Sequence, residues 1–263
     1  MYHTNINKTN VRLGEEKFDK QGTIMKIVSY NNANDIIVEF QDKYHARVHT
    51  TYQSFSLCRT LNPYYTSTFG IGIVGNKYTT TINSKPIKEY RTWSNVLQRS
   101  FDEKFKEKHP VYKDVTCCDE WIYYENFYEW LHSQENFNRW YTTNGSAIDK
   151  DILIKKNKIY SPETCCLVPI NVNCLFVKND LLRGNFPIGV NAHGNGYRAS
   201  CENQLLNTHV SLGTYKTPEE AFIAYKSYKE SLIKQVAERE YKAGNITNKC
   251  YDAMMNYEIE IDD

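Results

Sequence analysis

Residues 217–240, TPEEAFIAYKSYKESLIKQVAERE, constrain the fold more than any other stretch of this chain. Thr217 stands as an N-cap, Pro218 at the first helical position and Glu220 three residues past the cap. That is the reciprocal pattern of a capping box, which satisfies orphan amide donors at a helix start. Phe222, Tyr225, Leu232 and Val236 then recur at the spacing of one helix face, with Lys226, Lys229 and Glu230 expected outward. A helix with such a stripe has to bury it. The segments just before it, FPIGVNAHGNGYRASCEN and QLLNTHVSLGTY, are strand-like and punctuated by turn residues, so three strands packed on one helix is the expected unit. ITNKCYDAMMNY predicts a further short helix and YEIEI a closing strand.

At the other end, residues 23–55 alternate as strands do: TIMKIVSY, DIIVEF after the turn NNAND, and YHARVHTTY after QDK, in which Tyr44, Ala46, Val48 and Thr50 share a face. With SFSLCRTLNPYY closing it, this predicts a small, barrel-like antiparallel module. GIGIVG follows, and Gly70, Gly72 and Gly75 match a dinucleotide fingerprint letter for letter. The fingerprint requires a helix opening directly after the glycines, whereas NKYTTTINSKP brings β-branched residues and a proline, so these glycines predict a turn or bulge instead. EYRTWSNVLQRSF (Trp93, Val96, Leu97, Phe101) and CDEWIYYENFYEWLHSQ (Trp121, Phe127, Trp130, Leu131) carry aromatic stripes at helical spacing. A hairpin is expected next, with IKKNK as its turn and YSPETCCLVP as its second arm, and then a short helix through Asn173, Leu175 and Phe176.

Composition bounds the function. A formal net charge of +1 on 263 residues gives no whole-molecule basic field, so contact with nucleic acid has to come from local patches. The opening MYHTNINKTN is polar and no run approaches the roughly 18 apolar residues of a membrane span, which leads us to expect a cytosolic protein without a membrane partner. None of the eight cysteines forms a CxxC knuckle and the histidines do not supply a second ligand pair, which argues against zinc and for reduced, mostly buried thiols.

Two resemblances add to this reading. GVNAHGNGYRASCEN with HVSLGTYKTPEEAFIAYKSYKE resembles the APETALA/ethylene-response-factor DNA-binding domain: Gly189, Val190, Gly196, Tyr197, Ala199, Leu212, Gly213, Tyr215, Thr217, Glu219, Glu220, Ala221, Ala224 and Tyr225 stand at its hallmark positions. The resemblance implies a sheet laid in the DNA major groove, with Asn191, His193, Tyr197, Arg198, Ser200 and His209 at the outward positions. A single arginine there implies that Arg183, Lys155, Lys156 and Lys158 contribute phosphate contacts. The middle of the chain is similar to the HNH endonucleases of bacteriophages: YRTWSNVLQRS, VTCCDEW and FYEW precede IDKD and YSPETCCLV, where that group has a Leu-Asp-Arg-Ile-Asp hairpin and a Tyr-x-Pro-x-Asn-Cys turn. An HNH module joined to an APETALA-type module is an arrangement of phage proteins, so the two resemblances support each other.

Carried over by position, the second resemblance makes Asp149 the metal-binding carboxylate, Lys150 the occupant of the histidine-base position, Thr164 the occupant of the loop-fixing asparagine position and Asn173 the second ligand, with Asn171 competing for that role. One-metal phosphodiester hydrolysis needs a hard cation and a base that activates water. A lysine of ordinary pKa, about 10.4, is a poor base and a better phosphate clamp, which leaves Asp151 as the candidate base.

The expectation is therefore an α+β chain: a β-barrel-like module over 1–80, a helical segment with an HNH-like ββα-metal hairpin-helix over 81–184, and an APETALA-type domain over 185–263, a three-stranded sheet packed on a helix. It would bind double-stranded DNA in the cytoplasm of an infected bacterial cell and nick or cut it with Mg2+ or another divalent metal. The alternative is a catalytically inactive DNA- or host-protein-binding regulator on the same scaffold. For the amino-terminal module the candidate partners are a host protein or a second copy of the chain, and its residues do not choose between these and DNA.

Overall fold

The computed structural model describes residues 12–177 and 186–262. The chain is α+β, and it divides into two compact units, one built on Met1–Leu97 and Ile122–Phe127, the other on Gln98–Trp121 and Tyr128–Asp263. Among the described residues no helix is long and apolar enough to cross a membrane. All eight cysteines are free, and five of them (Cys117, Cys165, Cys166, Cys201 and Cys250) are buried.

In the first unit the alternating segments pair as expected. Glu16–Phe18, Ile24–Asn32, Asp35–Phe40 and Arg47–Thr50 form an antiparallel sheet in sequence order, with Met25 opposite Phe40 and Val38 opposite Val48. Met25, Ile27, Ile36, Val38, Phe40, Ala46 and Phe55 make the core on one face of the sheet. The module is an open sheet and not a closed barrel: its first and last strands do not pair with each other. The fourth strand is shorter than its alternation predicts, because Thr51 accepts from the Ser54 amide at 3.1 Å and starts a helix, Tyr52–Ser56, that lays Phe55 over the core.

No helix opens directly after the glycines of GIGIVG. Gly72–Ile73 pairs with Thr66–Thr68, and the chain then turns through a second small hairpin, Thr81–Ile82 with Lys85–Pro86. Gly72 is required by close approach: a Cβ there would lie 2.5 Å from Leu97 and 2.9 Å from the Trp93 ring, on the helix Lys88–Phe101. Trp93, Val96 and Leu97 are fully buried as their spacing predicts; Trp121 is buried too, but in a 3-10 turn, Asp119–Ile122, before the helix Tyr124–Ser133 begins.

In the second unit Ser146–Asp149 pairs antiparallel with Cys166–Pro169, and the helix Ile170–Phe176 follows directly. The hairpin is shorter than expected. Only four residues of each arm are laddered, while Ile159–Tyr160 leaves to pair in parallel with Thr116–Cys117. Further on, Val190–His193, Gly196–Asn203 and Thr208–Tyr215 form the three-stranded antiparallel sheet, backed by a 25-residue helix, Pro218–Lys242. Both halves of the capping box are made: Thr217 Oγ1 accepts from the Glu220 amide at 3.2 Å and Glu220 Oε2 accepts from the Thr217 amide at 3.4 Å.

One core serves all of this. Cys166, Val168, Val172 and Leu175 of the hairpin and its helix pack in the same cluster as Val190, Ala199, Cys201, Phe222, Tyr225, Leu232 and Val236 of the sheet and long helix. Cys250 and Met254, from the helix Asn248–Met255, and Ile259 complete it. The expected closing strand at YEIEI does not form. Side chains of the long helix take the place of a ladder: Lys226 Nζ donates to the Ile259 carbonyl at 2.7 Å and the Ile259 amide donates to Glu230 Oε1 at 2.8 Å.

Candidate hairpin site and nucleic-acid interface

Asp149 ends the first hairpin strand opposite Cys166 and turns the chain out of the ladder. Its Oδ1 accepts from the amides of Asp151 and Ile152, each at 2.8 Å, a local substitute for the lost strand partners. Only 8 % of the residue is exposed. Burial pushes its carboxyl above the ordinary range, and the two amide bonds pull the other way. Lys150 is also buried, and its ammonium donates to Asp151 Oδ2 at 2.6 Å and to the Asn157 carbonyl at 2.9 Å. Asp151, the candidate base, is therefore held in an ion pair. Thr164 Oγ1 accepts from the Ser161 amide at 3.2 Å and donates to the Ile159 carbonyl at 2.7 Å, closing the Tyr-Ser-Pro-Glu turn. Asn171 donates to Glu240 Oε1 at 3.0 Å, a structural tie to the long helix. Asn173 is half-buried and makes no side-chain hydrogen bond among the described residues.

Two residues here were not among the expected site residues, although the arginine ending YRTWSNVLQRS is part of the HNH-type resemblance. Asn157 Nδ2 donates to the carbonyls of Lys150, at 2.8 Å, and Ile159, at 2.7 Å, while its Oδ1 accepts from the Ile159 amide at 3.2 Å. It pins both sides of the loop, and its only sequence signal was an asparagine in a lysine-rich turn. Arg99 donates to Tyr160 Oη at 3.1 Å, lies over the Tyr112 ring with its guanidinium carbon 5.3 Å from the centroid, and is within electrostatic reach of Asp149. Burial, ahead of the neighbouring guanidinium, sets the direction for the Tyr160 hydroxyl, which is pushed up. Burial likewise pushes the adjacent Cys165 thiol up to about 12, so it is no nucleophile at neutral pH.

A hard divalent cation takes about six oxygen ligands, usually with more than one carboxylate or substrate phosphate among them. At this bend one Asp149 oxygen is used by two amides and Asp151 is bound by an ammonium. Among the described residues no three His, Cys, Asp or Glu side chains converge as metal ligands would. These residues do not fit a pre-formed magnesium site.

The outer face of the sheet is the second place where expected residues meet. Val190, Ala199 and Cys201 point to the core, so Asn191 and Arg198, one residue off in register, point away; Arg198 lies beside Asn191 on one strand and Thr214 on the other. His193 and His209 are exposed. Arg198 Nη2 contacts the His193 ring, and His209 Nδ1 meets Glu202 Oε2 at 3.0 Å. Two expected outward residues are not on this face. Tyr197 has the parity of Ala199 and Cys201, packs against the core and meets the Phe186 ring edge-on at 5.4 Å. Ser200 is only 7 % exposed, where a bulge after Ala199 shifts the register.

Of the supporting cations, Lys158 is exposed and Arg183 lies outside the described residues. Lys155 Nζ donates to the Glu258 carbonyl at 2.8 Å and to Glu260 Oε2 at 3.0 Å; Lys156 Nζ lies 3.4 Å from Glu260 Oε2 and 3.3 Å from Asp262 Oδ2. No family model, no curated protein and no solved structure matches this chain.

Proposed function

We propose that this chain is a duplex-DNA-binding protein of the kind bacteriophages carry, which contacts DNA through the outer face of its three-stranded sheet and uses the hairpin-helix as scaffold. One observation supports the reading best: Asn191, Arg198 and Thr214 stand in register across all three strands, a polar row on the face of the sheet turned away from the core. The residues that carry the APETALA-type resemblance hold that sheet in place. Val190, Ala199, Ala221 and Tyr225 are buried, and Thr217 and Glu220 cap the helix behind. A scaffold role for the hairpin accords with the engagement of Asp149, Asp151, Lys150 and Thr164 in its own hydrogen bonds.

A second reading, a metal-dependent HNH-type nuclease, is favoured by one feature. Asp149 Oδ2 makes no hydrogen bond among the described residues, with the Arg99 cation nearby. Supercoiled plasmid incubated with the protein and magnesium or manganese, beside an Asp149→Asn variant, separates the two. The scaffold reading expects no nicking that depends on Asp149, together with a gel shift that fades as salt rises. Nicking that the variant abolishes would make the chain an enzyme. Absence of any shift at low salt would end the DNA reading.

A further inference from the structure

The sheet of the first unit carries a row of charged residues, one from each strand, set side by side by the pairing register. Glu16 stands opposite Lys26, Lys26 opposite Glu39 and Glu39 opposite Arg47. Lys26 lies between the buried Met25 and Ile27, and Glu39 between the buried Val38 and Phe40, so the row is on the face turned away from that unit's core. Across the strands the charges run minus, plus, minus, plus. Lys26 Nζ lies 3.0 Å from Glu16 Oε1, Arg47 Nε donates to Glu39 Oε2 at 2.7 Å, and His45 Nδ1 lies 3.7 Å from Glu39 Oε1. The side chains of Glu16, Lys26 and Arg47 are 48 %, 42 % and 68 % exposed. Phe18 and Ile24, paired with each other two residues further along, share this face, and Phe18 is 63 % exposed.

An alternating row discriminates between occupants. A DNA backbone, or any surface of one sign, meets repulsion at every second position. A second copy turned about a two-fold axis parallel to the strands, passing between the second and third of them, meets none. The row then lies over itself in reverse order, with Glu16 over the partner's Arg47, Lys26 over the partner's Glu39, and the reciprocal contacts following by symmetry. A two-fold axis perpendicular to the strands would set each charge over its own twin. Sheets pack face to face about 10 Å apart, a gap that long charged side chains reaching from both sides close. Charge complementarity of this kind fixes register, and exposed apolar area such as Phe18 adds affinity.

We propose that the outer face of the amino-terminal sheet is a self-association surface, through which two copies of the chain pair face to face with Glu16 and Glu39 of each meeting Arg47 and Lys26 of the other. The proposal stands independently of the DNA reading.

Sedimentation of the full chain over a concentration series, at low and at high salt, tests it. Lys26→Glu/Arg47→Glu makes the row wholly acidic, and Glu16→Lys/Glu39→Lys makes it wholly basic. The parent is expected to show a monomer–dimer equilibrium that weakens as salt rises. Either variant alone should dimerise at least about tenfold more weakly, because like charges then face each other. Mixing the two variants in equal amounts should restore the dimer. Circular dichroism and thermal melting check that each variant is folded, and Lys26→Gln/Arg47→Gln, which removes charge without reversing it, should dimerise more weakly than the parent but better than the reversed rows. A parent that stays monomeric throughout overturns the proposal and leaves the face to a different protein. Reversed-row variants that dimerise as the parent does, or folded ones that fail to pair when mixed, overturn it as well. If the reversed rows do not fold, a glutamine variant that dimerises as tightly as the parent has the same effect.

Discussion

Asp149 shows how one residue supports two functional readings, and its energetics separate them. Its carboxyl is raised by burial above the unfolded value of about 3.9, so ionisation costs more in the folded protein than in the unfolded chain. That cost is absent below the unfolded value, grows as pH rises toward the folded value and is constant above it. Asp149→Asn keeps an acceptor for the two amides and removes the cost. Thermal unfolding followed from pH 3.5 to 7 should show the variant gaining on the parent across the range above about pH 4. Asp149→Ala removes the acceptor and should lose about 1–3 kcal/mol. An asparagine variant as damaged as the alanine one at neutral pH would contradict the burial cost and show that the two amides need the charged carboxylate. Asn157→Ala should behave like a broken loop clamp, losing about 1–3 kcal/mol by denaturant unfolding, because the Lys150 and Ile159 carbonyls lose their donor. The hairpin itself was legible from IDKD before YSPET, but its expected turn at IKKNK left Asp149 inside the first arm, where the structure ends the strand. The Asn157 clamp was not legible, because its partners are backbone carbonyls, which leave no mark in a sequence.

At the scale of elements, the capping box and apolar stripe located the long helix correctly, and one stripe position was misread through its charge. Lys229 lies four residues after Tyr225 and three before Leu232, on the same face; it is 7 % exposed. Helix geometry and not side-chain polarity placed it there. Burial lowers its pKa, so keeping it protonated costs stability at every pH below the folded value, and the cost shrinks as pH rises toward the unfolded value of about 10.4. Lys229→Met should therefore raise the melting temperature at pH 7 by about 2–4 °C per kcal/mol relieved, with the gain shrinking toward pH 10. An unchanged or lower melting temperature at pH 7 would show that the ammonium reaches adequate solvent. The strand at YEIEI was misjudged for a related reason. Its alternation is genuine, with Ile259 inward and Glu258 and Glu260 outward, yet its backbone partners are the Lys226 and Glu230 side chains, which no strand pattern encodes. Likewise, Ser200 is buried against the period-two rule that placed it outside, at the point where the register skips Leu212 on the neighbouring strand.

For the whole molecule, periodicity identified the segments but not which of them share a core. The chain reads as though a boundary separated the hairpin-helix from the sheet and long helix, and yet Val168 and Val172 pack in one cluster with Tyr225 and Val236. This shared core lets the hairpin and its helix support the sheet, whose outer face is the surface we propose to contact DNA. Arg198 is the cation of that face, set between Asn191 and Thr214. The most direct measurement is equilibrium binding of duplex DNA by the parent and by Arg198→Gln over a salt series. A base or phosphate contact through this guanidinium predicts about 5- to 30-fold weaker binding in the variant, with a log–log salt slope shallower by about one if the partner is a phosphate. Identical binding curves for the two proteins would contradict it.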